Sequence, residues 1–195
     1  NKQVIELNKQ GKFNETIVIA EKAVDAAKNE FGVNNNYFAS SLNNLAYLYE
    51  NMAKYEKAKP LYIQAIEIRK KVLGETHPSY ALSLNNLASL YLNMGEYENA
   101  ETFFLTSLEI TKKISGDNNL EYAISLSNLG NLYSTTGEYE KAESMNLQVL
   151  KIIKSVSGDN NLDYATSLNN LGNLYFVRGW YEKAEPVYLK LLEIL

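Results

Sequence analysis

Apolar residues recur along this chain at three- and four-residue steps, interrupted at regular intervals by short polar stretches. Leu42, Leu45, Ala46 and Tyr49 stand at helical spacing, which predicts a first helix from about Tyr37 to Met52. A short turn follows. It holds Gly95, Gly137 or Gly179 in later copies, Gly11 in the earliest and Ala53 in the second, where glycine takes the positive φ of a helix stop. The pattern resumes as a second helix, from about Glu56 to Leu73. Acids such as Glu98 or Glu140 lie in the first turn of this helix, and Lys112, Lys113 or Lys154 in its last, as the helix dipole favours. Gly74, Gly116 and Gly158 close it. The next helix then starts at a residue that can cap it: Asn35, His77, Asn119 or Asn161, with Pro78 in the first turn where no N–H is needed.

This helix pair is a repeat. Ser41-Leu-Asn-Asn-Leu45 returns as Ser83-Leu-Asn-Asn-Leu87, Ser125-Leu-Ser-Asn-Leu129 and Ser167-Leu-Asn-Asn-Leu171, each step being 42 residues without insertion or deletion. Tyr49, Tyr91, Tyr133 and Tyr175 keep the same register, as do Ala58, Ala100, Ala142 and Ala184. Aligning 122–153 with 164–195 gives 19 identities in 32 positions. The expected units are 1–37 (lacking the start of its first helix), 38–79, 80–121, 122–163 and 164–195 (ending inside its second helix). One such pair cannot bury its own apolar face, so neighbours must stack and stability becomes nearly a sum of nearest-neighbour terms. Leu189 to Leu195 are rich in leucine and isoleucine without a stop signal. That predicts a fragment of a longer protein, or an end that a partner covers.

Leu42, Leu45, Ala46, Tyr49, Ala53, Tyr55, Ala58, Tyr62 and Ala65 occupy the offsets of the tetratricopeptide repeat, and the chain resembles its 42-residue, kinesin light chain-like form over its whole length. Tyr164-Ala-Thr-Ser-Leu-Asn-Asn-Leu-Gly-Asn-Leu-Tyr175 is similar to the kinesin light-chain consensus. The resemblance implies an all-α fold, a right-handed α-solenoid superhelix of stacked antiparallel helix pairs with first helices lining the concave side. It implies a bacterial origin and a scaffold that holds a peptide or protein partner.

At about 100° per residue, Leu45, Ala46 and Tyr49 fall within roughly 60° of Leu42, whereas Asn43, Asn44, Tyr47, Glu50 and Asn51 fall on the opposite side. Four units thus present a ladder on that face. It runs Asn43, Asn44, Tyr47, Asn51; then Asn85, Asn86, Ser89, Asn93; then Ser127, Asn128, Asn131, Thr135; then Asn169, Asn170, Asn173, Val177. An amide offers donors and an acceptor, so it can pair with the backbone of an extended peptide of any sequence. Four first helices about 8–10 Å apart line roughly 30 Å, room for about nine extended residues. The alternative is that these asparagines satisfy backbone groups between adjacent helices. In the final unit Phe176, Val177 and Trp180 replace polar residues of earlier units, and this exposed apolar cluster predicts a contact surface or burial against a following repeat. Kinesin light-chain repeats carry lysine or arginine just after the tyrosine. Here those positions are Glu50-Asn51, Leu92-Asn93, Ser134-Thr135 and Phe176-Val177, so a preference for acidic cargo does not carry over.

Composition narrows the function further. The net charge of −4 gives no electrostatic case for nucleic acid or an anionic membrane, and no apolar run is long enough to span a bilayer. A cytoplasmic location is expected. With no cysteine and the single histidine His77, thiolate metal sites and histidine-based triads have no material, so neither catalysis nor a cofactor or metal is expected. His77 reads as a helix cap. The Asp-Asn-Asn stretches at 117–119 and 159–161 lack the ligand ladder of a calcium loop and read as helix-linking turns. Most of the 24 asparagines follow the repeat register instead of forming a low-complexity tract. Net charge varies by unit, and 80–121 is the most acidic, with six acids against Lys112 and Lys113. Two other functions stay open. The chain can be the sensor or regulatory arm of a larger bacterial effector, such as a caspase-like protease, with catalysis elsewhere. Alternatively, uncapped solenoid ends can stack into a self-assembly.

Overall fold

The computed structural model describes residues 13–195. The expected turn at Gly11 lies outside the described residues. Within them the chain forms α1 (Phe13–Phe31), α2 (Asn36–Asn51), α3 (Tyr55–Leu73), α4 (Pro78–Met94), α5 (Tyr97–Ser115), α6 (Leu120–Thr135), α7 (Tyr139–Ser157), α8 (Leu162–Arg178) and α9 (Tyr181–Leu192). No strand occurs among the described residues. The predicted helix starts and stops agree with these to within about two residues.

The caps explain that agreement. Asn35 Oδ1 accepts from the Tyr37 N–H at 2.7 Å, His77 Nδ1 from Ser79 at 3.0 Å, and Asn119 and Asn161 from Tyr122 and Tyr164 at 2.9 Å. Asn119 also donates through Nδ2 to the Ser115 and Gly116 carbonyls at 3.0 and 2.9 Å, and Asn161 repeats this on Ser157 and Gly158. One amide therefore ends a helix and begins the next. The turns inside each pair are equally regular: Lys54, Glu96, Glu138 and Trp180 each return an N–H to the carbonyl of the repeat tyrosine, at 2.8–2.9 Å. Such a stop needs a left-handed residue. Gly95, Gly137 and Gly179 supply it at φ near +80°, whereas Ala53 holds φ +55°, the only positive φ of a non-glycine among the described residues.

By its internal contacts the chain divides into two compact units, one extending to Phe103 and the other running from Phe104 to Leu195. In the first, α1 packs on α2, α2 on α3 and α3 on α4, and α2 also touches α4. Phe38, Ala39 and Leu42 of α2 meet Ala65 and Ile68 of α3, with Val24, Ala27 and Leu61 against them. Arg69 is buried where α2, α3 and α4 meet. Its guanidinium donates to Asn36 Oδ1, Ser40 Oγ, Ser79 O and Ser83 Oγ at 2.5–3.2 Å. Burial among neutral acceptors lowers its pKa.

In the second unit α6 packs on α7, α7 on α8, and α8 on α9. Tyr122, Ala123 and Leu126 of α6 form a core with Val149, Ile152 and Ile153 of α7. Ala58, Ala100 and Ala142, the small residues of the second-helix register, are fully buried and Ala184 nearly so. Little or none of their surface is left to solvent. The expectation of consecutive antiparallel helix pairs without strands holds among the described residues.

Candidate functional site

The face of α2 and α4 that carries the first half of the polar ladder is partly tied up within the protein. Asn43 and Asn85 are buried, and Asn86 Nδ2 donates to Asn43 Oδ1 at 3.1 Å, joining α4 to α2. Asn93 Nδ2 donates to Glu50 Oε1 at 2.8 Å, and the Tyr62 hydroxyl donates to Glu50 Oε2 at 2.7 Å. Glu50, which helical spacing placed on the open face, is only 9 % exposed, and Tyr62 is 0 % exposed. Burial raises the Glu50 pKa, against the pull of hydrogen bonds from Tyr62 and Asn93. Burial, reinforced by the nearby Glu50 carboxylate, also drives the Tyr62 hydroxyl well above the ordinary tyrosine range. Ser89 is half-buried and returns its hydroxyl to the Asn85 carbonyl at 3.1 Å. Asn44, Tyr47 and Asn51 are exposed.

The second unit arranges the same register differently. Ser127, Asn128 and Asn131 of α6 and Asn170, Asn173 and Val177 of α8 line one open pocket of about 350 Å³. Its wall also includes Asn146 of α7, and Gly130 lies beside that side chain. Asn173 Oδ1 accepts from the Tyr188 hydroxyl at 2.8 Å. A second, more apolar pocket of about 190 Å³ adjoins it, sharing Ser127 and Asn170 and walled by Leu120, Ile124, Val149 and Ile153. Six of the expected site residues thus meet at one place between α6 and α8. Thr135, Asn169 and Phe176 are exposed outside both pockets.

At the end of α8, Phe176 and Val177 are 59 % and 66 % exposed, and Phe176 meets Tyr181 edge-on at 5.8 Å. Trp180 is half-buried, tilted against Tyr175 at 6.0 Å, with Lys183 Nζ 4.5 Å above its ring. Tyr175 donates to Glu143 at 2.8 Å while Lys183 pairs with the same carboxylate at 2.9 Å. No group of three or more histidine, cysteine or acidic side chains poised to hold a metal occurs among the described residues. None of their helices is long and apolar enough to cross a membrane.

A model of the tetratricopeptide repeat matches residues 7–70, 37–93 and 80–155, and another of the same repeat matches 165–195. The chain belongs to the tetratricopeptide repeat family. Among solved structures, BtubC (BKLC) from P. vanneervenii is 24 % identical, with a TM-score of 0.82 over 98 % of this chain and 76 % of that one. A kinesin light chain of Podosopora anserina with nearly identical TPR-like repeats is 20 % identical. It matches with a TM-score of 0.79 over 99 % of this chain and 92 % of that one, and a variant of the same protein does so at 0.81 over 99 % and 91 %. No curated protein matches the sequence. The kinesin light chain-like solenoid of helix pairs expected from the residues is therefore the fold of this chain. Tetratricopeptide repeats in general mediate protein–protein interaction and act as non-catalytic scaffolds.

One functional candidate escaped the sequence reading. Asn146 belongs to the column Tyr62, Phe104, Asn146, Tyr188, and Gly130 to the column Ala46, Ala88, Gly130, Gly172. Each substitution is unremarkable alone. Compared column by column, they show that one repeat has lost a ring and a methyl group at facing positions.

Proposed function

We propose that this tetratricopeptide chain is a protein-binding scaffold that takes an extended peptide segment of its partner on the face between α6 and α8. The observation that carries this reading is the convergence of Ser127, Asn131, Asn170 and Asn173 on a single polar pocket beside an apolar one. Amide and hydroxyl groups there serve the donors and acceptors of a peptide main chain without reading its sequence. The apolar neighbour walled by Leu120, Ile124, Val149 and Ile153 gives an aliphatic side chain a place to bury, which supplies affinity that hydrogen bonds alone do not. On the face of α2 and α4, Asn86 bonds to Asn43 and Asn93 to Glu50, so those amides serve as bracing between the two helices.

The test is selection of binders from a random peptide library, with the bound position mapped by crosslinking. Peptides that crosslink to α6 and α8, and that lose at least about tenfold in affinity to Asn170→Ala or Asn131→Ala while the melting midpoint holds, are the expected result; tenfold corresponds to about 1.4 kcal/mol, the scale of one or two hydrogen bonds. Crosslinks confined to another surface, or affinity indifferent to these substitutions, would overturn it.

A further inference from the structure

We infer that the polar pocket of the second unit is a subsite for a carboxamide, the side chain of a glutamine or asparagine in the partner segment. This rests on the peptide-binding reading above and makes it specific. Two residues of its wall, Gly130 and Asn146, face each other, and Met145 Cβ packs 3.3 Å from where a Gly130 Cβ would stand. At Gly172 the corresponding space is filled: a Cβ there would stand 2.7 Å from Cε1 of the Tyr188 ring. At Gly130 the facing residue is Asn146 instead of an aromatic, and its Oδ1 lies 3.4 Å from where a Cβ would stand. The ring is gone and a short amide remains at the floor.

That amide is unsatisfied. Asn146 is only 7 % exposed, yet its side chain makes no hydrogen bond among the described residues. Buried polar side chains nearly always have a partner, and an exception lining an open pocket points to one arriving from outside. The rim amides Asn131, Asn170 and Asn173 are exposed on the two first helices, at the level of a bound main chain. Asn146, on α7, is the buried amide of the same lining.

The chemistry of the walls selects the class of side chain. Serine, asparagine, glycine, leucine and valine line the pocket, and no ionisable group does. A carboxylate or ammonium entering it would lose hydration without a counter-charge, and an aliphatic group would leave both the donor and the acceptor of Asn146 unmatched. A carboxamide presents one donor and one acceptor side by side, so it pairs with Asn146 through two antiparallel hydrogen bonds, while its methylenes rest on Leu174 and Val177.

The probes are the N-acetyl, N′-methylamide derivatives of glutamine, glutamate and leucine, titrated into the ¹⁵N-labelled chain while the Asn146 side-chain N–H₂ resonances are followed. The glutamine derivative should shift them with a Kd on the order of 1–10 mM, as befits a ligand of that size, and at least about fivefold more tightly than the other two. Asn146→Leu should abolish the preference while leaving the melting midpoint unchanged or higher, since it removes a buried amide that has no internal partner. Equal affinity for the three probes, or no shift of Asn146 by the glutamine derivative, would overturn the subsite. So would a lowered midpoint in Asn146→Leu, which would show the amide to be bonded inside the protein. Library peptides that map to α6 and α8 without preferring glutamine or asparagine would refute the subsite and leave the peptide face standing. A glutamine-selective Asn146 with no peptide on that face would do the reverse.

Discussion

Glu50 and Tyr62 form the pair whose removal tests the bracing of the first unit. The Tyr62 hydroxyl is inaccessible and donates to Glu50 Oε2 at 2.7 Å, while Oε1 takes Asn93 from α4 at 2.8 Å. Glu50→Leu keeps the volume but strands the buried hydroxyl, a loss of about 1–3 kcal/mol. Asn93 is exposed and turns to water at little cost. Tyr62→Phe strands a buried carboxylate oxygen and costs a similar amount, about 1–3 kcal/mol. The double variant removes both polar partners together, and the chain already shows that the register accepts this. One repeat later the same two columns hold Leu92 and Phe104. The double loss should therefore be about 1 kcal/mol or less, which implies a coupling of roughly 1–3 kcal/mol between the two sites. Urea titrations followed by circular dichroism give the four free energies. For a chain of this size each kcal/mol moves the thermal midpoint by about 2–4 °C, so each single variant should melt several degrees early and the double near the parent. Losses that simply add would refute the argument, because they would mean that Glu50 and Tyr62 are satisfied independently by solvent.

Glu50→Gln isolates the charge. Because burial raises the Glu50 pKa above its ordinary 4.5, the native state holds that proton more tightly, so its contribution is full at low pH and is lost as pH rises through the raised value. Glu50→Gln should erase that decline, gaining on the parent as pH rises above the ordinary 4.5; a constant difference between the two pH profiles would count against the buried carboxylate. Ala53→Gly should raise the melting midpoint by a few degrees, since it relieves an L-residue held at φ +55°, a conformation that costs about 1–2 kcal/mol; a lower midpoint would show that chain entropy outweighs that strain. Ala142→Leu should cost about 1–3 kcal/mol in a urea titration, because its methyl is completely enclosed, and a neutral result would contradict the helix contact.

The fold was legible to the residue wherever a local rule met the 42-residue register. Asn35, His77, Asn119 and Asn161 cap because each side chain offers an acceptor to the N–H groups at a helix start, and the left-handed turn residues stand where each first helix must reverse. The inner surface was less legible. A helical wheel drawn on Leu42 allows one buried stripe, but α2 packs against α1, α3 and α4, so its buried arc is wider and takes in Asn43 and Glu50. Six of the ladder residues of α6 and α8 line one pocket, while Thr135 and Asn169 stand outside it. The pocket did not show in any single helix, because Gly130 and Asn146 line it from two different helices and no window along one helix holds both.

The doubly bonded cap amides also make the molecule keep time. Asn119 and Asn161 use the oxygen to start one helix and the nitrogen to hold the carbonyls that end the previous one. Hydrolysis of such an amide to aspartate, the slow chemical ageing of asparagine, replaces the N–H₂ with an anionic oxygen. The helix start survives, since aspartate caps as well as asparagine. The link backward does not: two attractions to carbonyl oxygens become two repulsions. A change of one mass unit at either residue would leave every helix formed while loosening the joint between one helix pair and the next.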